Sequence, residues 1–306
     1  MLRFGAGGIC GSDVPKFLGV HDPDNPYIGR PGVPLHEFVG HVVASKSLEF
    51  ARGDRLAGTI AESRGLAEYV INPASLMIGL DDRLSDLHAT VIQPLATVLS
   101  ALSQLQQVAG KSVAVLGLGP LGLLFTHVLK SMGAARVIGV DRIDRTDVGK
   151  AFGIDDLVVG ESRTWARAMD DDGRRPVLVV DAIGHRQEVI ADGVRSLGSG
   201  GHLLVFGLPE DHYVFEMRSF FRKNLTMSAG VTQDWPRFLG AAQQYLLDSP
   251  CLADDYITDV FSIAEATEAF GRYAKPSVGR LKVALVAPGR EDEPAFTAGS
   301  LTRLNP

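Results

Sequence analysis

Five short hydrophobic runs occupy the middle of the chain, between about residues 91 and 230, and helix-length amphipathic segments separate them. Their Val, Ile and Leu content is nearly continuous, as strands buried on both faces of a parallel sheet require. The predicted strands are residues 112–116, 136–140, 177–181, 202–206 and 225–229. Strands that alternate with helices in this way predict a doubly wound α/β domain.

The flanking segments follow a different pattern. Residues 1–95 are punctuated by turns and rich in short β-type runs such as 38–43 and 67–70, which predicts a small barrel-like β domain. Residues 231–288 contain a predicted helix over 235–247, a capping box from Ser262 to Glu265, and a last strand over 282–286. We therefore expect domains over 1–95, 96–230 and 231–288, the third returning to the first, and a loose tail over 289–306.

Composition excludes several classes of protein. A formal net charge of −6 and the lack of clustered Lys and Arg argue against a nucleic-acid or anionic-membrane partner. The two cysteines, Cys10 and Cys251, are too few for a disulfide-stapled module and favour a reducing compartment. Neither a membrane-spanning run nor a signal peptide is found in the sequence, so a cytoplasmic location is expected.

A glycine motif follows the first of the buried strands and precedes a helical run predicted over 123–132. In Gly117-x-Gly119-x-x-Gly122, with Pro120 and Leu121 between the last two glycines, the first glycine permits a tight turn. The second allows close approach of a pyrophosphate, and the third lets helix and strand pack together. Because the motif lies between a strand and a helix, it predicts dinucleotide binding.

Asp141 ends the next predicted strand. A carboxylate at this position accepts hydrogen bonds from the adenosine ribose hydroxyls and repels a 2′-phosphate, which favours NAD over NADP. Arg142 and Arg145 are close enough in the sequence to keep NADP as an alternative.

Potential metal ligands lie in the N-terminal β-rich segment. Cys10, His36 and Glu37 are residue types that Zn²⁺ prefers, although a lone Cys or His is more often a core residue. His36 and His41 are five residues apart in a predicted strand, which is inconsistent with the helical spacing of a metalloprotease site.

These motifs occur in a recognisable order. Cys-Gly-Ser-Asp at 10–13, His-Glu-x-x-Gly at 36–40, Gly-Asp-Arg-Leu at 53–56, Leu-Ala-Glu-Tyr-Val at 66–70 and the glycine motif together resemble the zinc-dependent medium-chain alcohol/polyol dehydrogenases. The resemblance extends over about residues 3–287. It implies a GroES-like β-barrel catalytic domain beside a Rossmann domain. It also implies hydride transfer between NAD(H) and a polar secondary alcohol, polyol or sugar, with zinc as the Lewis acid.

The resemblance assigns roles to the metal-site residues. By it, Cys10 and His36 are zinc ligands, and Glu37 is the neighbouring acid that replaces a water or substrate ligand. Asp13 matches the carboxylate that orients the ligating histidine. Gln93 stands where the family usually has a Cys, Glu or Asp as third ligand, just before a helix that Pro94 is suited to begin. A neutral third ligand leaves the zinc site one unit more positive.

Two hydroxyl residues complete the implied site. Ser12 matches the hydroxyl that passes the substrate proton toward the cofactor ribose, and Thr97 matches a residue beside the nicotinamide. Many relatives continue this relay with a histidine three residues after the serine. Here Pro15 stands there, so the proton is expected to leave through water or another side chain.

Other departures define the alternatives. The segment between Asp54 and Gly65 has no cysteine, so one catalytic zinc and no structural zinc is expected. The usual opening strands before Gly8 are also lacking, which suggests a truncated start. The alternatives are a zinc-free reductase of an activated double bond or quinone, and a non-catalytic NAD-binding protein. The expected partners are a small-molecule substrate and further copies of the chain, in a homodimer or homotetramer.

Overall fold

The computed structural model describes residues 1–20, 28–105, 107–169 and 175–288. Two sheets organise these residues, one mixed and one entirely parallel. The strands are β1 (Leu2–Gly8), β2 (Glu37–Val42), β3 (Arg55–Thr59), β4 (Tyr69–Val70), β5 (Met77–Gly79), β6 (Ser112–Leu116), β7 (Arg136–Asp141), β8 (Asp156–Val159), β9 (Leu178–Asp181), β10 (His202–Val205), β11 (Thr226–Ala229), β12 (Ile257–Ser262) and β13 (Lys282–Val286).

Helices cover the parallel sheet and join it to the mixed one. They are α1 (Asp13–Phe17), α2 (Asp86–Ala89), α3 (Ile92–Leu102), α4 (Pro120–Ser131), α5 (Ser162–Ala168), α6 (Gln187–Ser196), α7 (Met217–Arg222), α8 (Trp235–Asp248), α9 (Leu252–Tyr256) and α10 (Ala266–Tyr273). Three short 3₁₀ turns occur at Ala61–Ser63, Ala74–Leu76 and Ile263–Glu265. Among the described residues, no helix has the length and apolarity needed to cross a membrane.

The parallel sheet has the strand order β11-β10-β9-β6-β7-β8. Its central strands are buried on both faces, as the continuous apolar runs predict. The doubly wound sheet expected from the sequence is therefore confirmed. Strand β8 was not predicted, because its first three residues are only half-buried and its fourth, Val159, is exposed, so no buried run marks them.

The mixed sheet has the order β12-β13-β1-β2-β3-β5, and β4 also pairs with β1. Strand β1 pairs antiparallel with β2 and with β13, which brings the C-terminal segment onto the N-terminal one. Phe4 and Phe38 pack edge to face in the core of this sheet. This register places the start of β13 beside the start of β2, and the candidate site is built there. The expectation of a barrel-like β domain beside the doubly wound one agrees with this architecture.

Element boundaries differ from the prediction in a few places. Helix α4 begins at Pro120, with Gly119 at its N-cap, because proline is tolerated at the first helical position. Ser262 and Glu265 form the predicted capping box. The domain boundaries at residues 95 and 230 stay a prediction, and the tail over 289–306 lies outside the described residues.

Candidate active site

Three side chains of the proposed metal site meet in space. Cys10 follows β1, His36 precedes β2 and Glu37 begins β2, and one ligand atom from each lies within 4.8 Å of the others. A thiol, an imidazole and a carboxylate are the donor types that Zn²⁺ binds in proteins. The donor set therefore fits a zinc ion, with Cys10 and His36 half-buried and Glu37 fully buried.

Asp13 orients two of these groups. Its Oδ1 is 2.9 Å from His36 Nδ1, and its Oδ2 accepts a hydrogen bond from the backbone N–H of Cys10 at 3.1 Å. A carboxylate only accepts, so Nδ1 carries the proton and Nε2 has its lone pair available for a metal. The buried Asp13 thus fixes both the tautomer of His36 and the backbone that carries Cys10.

The pKa values of His36 and Asp13 are both shifted from their usual values. Burial alone would lower the pKa of His36, but the charge and hydrogen bond of Asp13 outweigh it and raise that pKa well above its usual value. Burial alone would raise the pKa of Asp13, but its contacts with His36 and Cys10 bring it below its usual value.

Lys282, at the start of β13, is a site residue that the sequence prediction missed. Its ammonium lies 2.7 Å from both carboxylate oxygens of Glu37 and donates to the carbonyl of Ile9 at 3.0 Å. Lys282 and Glu37 are 1% and 0% exposed. The Tyr256 ring covers the ammonium, 5.8 Å from the ring centroid. The sequence feature that could have identified Lys282 is a single lysine at the start of an otherwise apolar final strand, because a buried lysine requires a partner.

The remaining predicted residues lie on α1 and α3. Helix α3 begins at Ile92, so Gln93 lies buried in its first turn and Pro94 is its third residue. The expectation that Gln93 precedes a helix begun by Pro94 was wrong, since a proline in the first turn removes no helical hydrogen bond. Ser12 is the half-buried N-cap residue of α1, and the hydroxyl of Thr97 donates to the carbonyl of Pro94 at 2.7 Å.

A cavity of about 470 Å³ separates the two sheets next to this cluster. One wall comes from the mixed-sheet side and includes Gly11, Val14 and Tyr273. The opposite wall contains Gly117, Gly119, Pro120, Asp141, Arg142, Arg145, Gly160, Glu161 and Arg186. Because Gly11 directly follows Cys10, one part of the cavity adjoins the metal-site cluster, and another adjoins Asp141.

The glycine motif has the geometry that its function requires. Gly117 has φ +90°, which a residue with a side chain rarely adopts, and a Cβ at Gly122 would overlap the Gly117 carbonyl. Nothing lies within 4 Å of a Cβ built at Gly119, so its open side faces the cavity. Leu121 packs on the hydrophobic core behind the loop. The loop therefore leaves room for a pyrophosphate at the N-terminus of α4.

Asp141 holds this loop from the end of β7. Its Oδ2 accepts from the Leu118 N–H at 2.5 Å and its Oδ1 from the Ile143 N–H at 2.8 Å. Each carboxylate oxygen keeps a second lone pair, so the group still has capacity for ribose hydroxyls. Arg142 is a rim residue with 68% of its side chain exposed. Arg145 lines the cavity but is 2% exposed, and its guanidinium donates to backbone carbonyls.

The chain matches one family model. Residues 120–244 match the family described as zinc-binding dehydrogenase. The matched segment begins at the first residue of α4 and ends inside α8.

Individual relatives extend the similarity to most of the chain. It is 24% identical to D-arabinitol dehydrogenase 1 of Uromyces fabae over 90% of this chain and 86% of that protein. Human sorbitol dehydrogenase is 26% identical over 90% of this chain and 85% of its own length. A solved alcohol dehydrogenase of Escherichia coli CFT073, in complex with NADH, superimposes with a TM-score of 0.81. It is 21% identical and covers 93% of this chain and 90% of the solved one.

Proposed function

We propose that the chain is a medium-chain alcohol or polyol dehydrogenase that transfers hydride between a polyol or another polar secondary alcohol and NAD at one zinc ion. The observation that carries the proposal is the convergence of Cys10, His36 and Glu37 beside the cavity that contains the glycine motif. No feature of the described residues favours the zinc-free reductase or the non-catalytic alternative.

The metal-site residues support a Lewis-acid role. When bound, zinc would supply the positive charge that lowers the pKa of the substrate hydroxyl. Cys10 and His36 would hold it, and Asp13 keeps His36 in the ligating tautomer. Glu37 gives both carboxylate oxygens to Lys282, so its charge is already neutralised inside the protein. With a neutral Gln93 as third ligand, Cys10 then carries the single uncompensated negative charge of the donor set.

The proton leaves the reacting hydroxyl toward Ser12. This residue lies between Gly11, which lines the cavity, and Asp13, which orients His36. Thr97 already donates its proton to a helix carbonyl, so its oxygen acts as an acceptor. Pro15 has no titratable group, and the path beyond Ser12 therefore runs through water or another side chain.

The cofactor is NAD in this proposal. Asp141 supports it, because the carboxylate has free lone pairs for ribose hydroxyls and carries the negative charge that opposes a 2′-phosphate. The named activities of the D-arabinitol and sorbitol relatives support a polyol as the second substrate.

The proposal also includes a cellular location and an oligomeric state. Cys10 and Cys251 are both free thiols, which supports a reducing, cytoplasmic location.

We also infer a homodimer or homotetramer, because Met217 and Phe221 lie one turn apart on α7 and are 60% and 78% exposed, and the strand after α7, β11, is an edge strand of the parallel sheet. Sedimentation velocity measures the assembly directly, and a monomer at micromolar concentration would contradict it.

The test of the proposed function combines activity with metal analysis. Purified protein is assayed with a panel of polyols, sugars and secondary alcohols and NAD⁺, following the absorbance of NADH, and its zinc content is measured. We expect one zinc per chain, polyol oxidation that a chelator abolishes, and loss of both in Cys10→Ser. Cys251→Ser, which changes an exposed cysteine, is the matched control. Metal-free protein with full activity on an activated double bond would overturn the proposal.

A further inference from the structure

Four arginine side chains line the cavity that also contains Asp141. They come from the loop after β7, from the residue before α6 and from the segment before β13, and they are Arg142, Arg145, Arg186 and Arg280. A phosphate on the adenosine 2′-oxygen would bind any guanidinium that is free to turn toward it. The choice between NAD and NADP therefore depends on what each guanidinium already binds.

Two of the four are held by backbone carbonyls. Arg145 Nη1 donates to the carbonyls of Ser277 at 3.0 Å and Arg280 at 3.1 Å. Arg280 Nη1 donates to the carbonyls of Arg272 at 3.0 Å and Lys275. Turning either guanidinium toward a nucleotide would break these bonds. Both side chains therefore link segments of the protein and are poor phosphate ligands.

The other two arginines share one carboxylate. Glu161 Oε1 lies 3.9 Å from Arg142 Nε, and Glu161 Oε2 lies 3.4 Å from Arg186 Nη2. The backbone holds Glu161 in this place, because the N–H of the preceding Gly160 donates to the carbonyl of Asp141 at 2.7 Å. Glu161 is thus a second carboxylate on the cavity wall beside Asp141. Arg186 also donates from Nε and Nη2 to Glu188 Oε1 at 2.9 and 2.6 Å, so among the described residues Arg142 is the arginine that only Glu161 restrains.

We propose that Glu161 selects NAD over NADP together with Asp141. Its carboxylate attracts the mostly exposed guanidinium of Arg142, which could otherwise bind a 2′-phosphate, and it adds a negative charge that repels one. The proposal rests on the nucleotide site of the proposed function. It does not depend on the metal or on the substrate alcohol, so it is testable with nucleotide fragments alone.

The experiment compares two probes that differ only in the 2′-phosphate. Binding of 5′-AMP and of 2′,5′-ADP is measured by isothermal titration calorimetry on the wild-type protein and on Glu161→Gln. We expect the variant to bind 2′,5′-ADP about fivefold to tenfold more tightly, with 5′-AMP changed less than about twofold. The gain should shrink at high salt, because the interacting groups are exposed.

Two further variants separate a local effect from a change in net charge. Glu216→Gln removes an exposed carboxylate that pairs with Arg195 outside the lining of the cavity, and it should leave the ratio of the two affinities unchanged. Arg142→Gln added to Glu161→Gln should cancel most of the gain. An unchanged ratio in Glu161→Gln, or an equal shift in Glu216→Gln, overturns the proposal. Wild-type protein that binds neither fragment would contradict the nucleotide site itself, and with it both proposals.

Discussion

At the scale of single residues, Asp13 has the largest influence on the site, although it is not itself a proposed ligand. One of its oxygens binds the imidazole of His36 and the other binds the backbone of Cys10. Because Asp13 is fully buried, no water replaces either contact. Its charge also supports the ligand set electrostatically, since it raises the basicity of the imidazole.

Asp13→Asn tests this role. An amide has one accepting oxygen in place of two, so either His36 or the Cys10 N–H loses its partner. We expect zinc affinity to fall by about 10-fold to 100-fold, with a similar loss in kcat. Competition with a chromophoric chelator measures the affinity, and Asp144→Asn, at an exposed position, is the control. Unchanged zinc affinity would mean that Asp13 has no such role.

Ser12→Ala tests the proton path. If the Ser12 hydroxyl carries the proton, kcat should fall by about 100-fold and its pH profile should shift, because proton transfer becomes limiting. The zinc content should stay unchanged. Steady-state kinetics across pH make the measurement, with the exposed Ser45→Ala as control. A variant with wild-type turnover and pH profile would remove Ser12 from the path.

The residues of the candidate metal site were predictable at this scale, and Lys282 was not. Cys10, His36, Glu37 and Asp13 lie in two short motifs, and the order of these motifs along the chain predicts the site. Lys282 lies 245 residues from its partner Glu37, and no local pattern relates the two positions. Only the pairing of strands brings them together.

At the scale of elements, that pairing is between β1 and its two antiparallel neighbours. In β1, Gly8 is opposite Glu37 of β2 on one side and Ala284 of β13 on the other. Gly8 also gives the carboxylate room, because a Cβ there would overlap Glu37 Oε2. The sheet therefore sets the contact between Glu37 and Lys282 and places this charged pair in the interior.

Lys282→Met tests the energetic role of this contact. Removing the ammonium leaves the Glu37 charge buried without its partner, so we expect about 3–5 kcal/mol lower stability. Urea unfolding of chelator-treated protein measures this without interference from metal binding. Adding Glu37→Gln should recover most of the loss, because the uncompensated charge disappears. A single variant as stable as the wild type would show that Glu37 finds another partner.

At the scale of the whole molecule, α8 connects the two halves of the structure. It packs against α3 and β5, and its Tyr245 hydroxyl meets His127 Nδ1 of α4 at 2.8 Å. The hydroxyl also donates to Ser131 at 2.9 Å. Burial lowers the pKa of His127, and burial likewise lowers the pKa of His202 in the parallel sheet.

The stability that His127 and His202 contribute should therefore fall in mild acid, whereas His36, whose pKa is raised, contributes in the opposite sense. His127 and His202 have a folded-state pKa below their unfolded value of 6.5, so in the unfolded chain they bind more protons as the pH drops through that value. The stabilisation is present above pH 6.5 and is lost below it, by at most about 1.4 kcal/mol per pH unit for each proton.

His127→Asn should reduce this pH dependence. Urea unfolding between about pH 7 and pH 5 measures the slope, and the exposed His212→Asn is the control. A slope unchanged in His127→Asn would show that the pKa of this histidine is the same in the folded and the unfolded protein.

The sequence by itself predicted the doubly wound sheet and the residue types that meet in the candidate metal site. These depend on local signals: the continuous apolar runs of β6, β7 and β9, the strand-glycine-helix order around Gly117, and short motifs with fixed spacing. These local signals did not reveal β8, because its hydrophobic signal is weak. They also did not give the start of α3, because proline is tolerated throughout the first turn of a helix.

Only the tertiary structure decided which charges meet. It paired Glu37 with Lys282, held Arg145 on two carbonyls and placed Glu161 between Arg142 and Arg186. The physical reason is that charge pairing depends on distances of a few ångströms between residues far apart in sequence. Those distances follow from strand register and loop geometry, whereas hydrophobic periodicity records only which face of each element is buried.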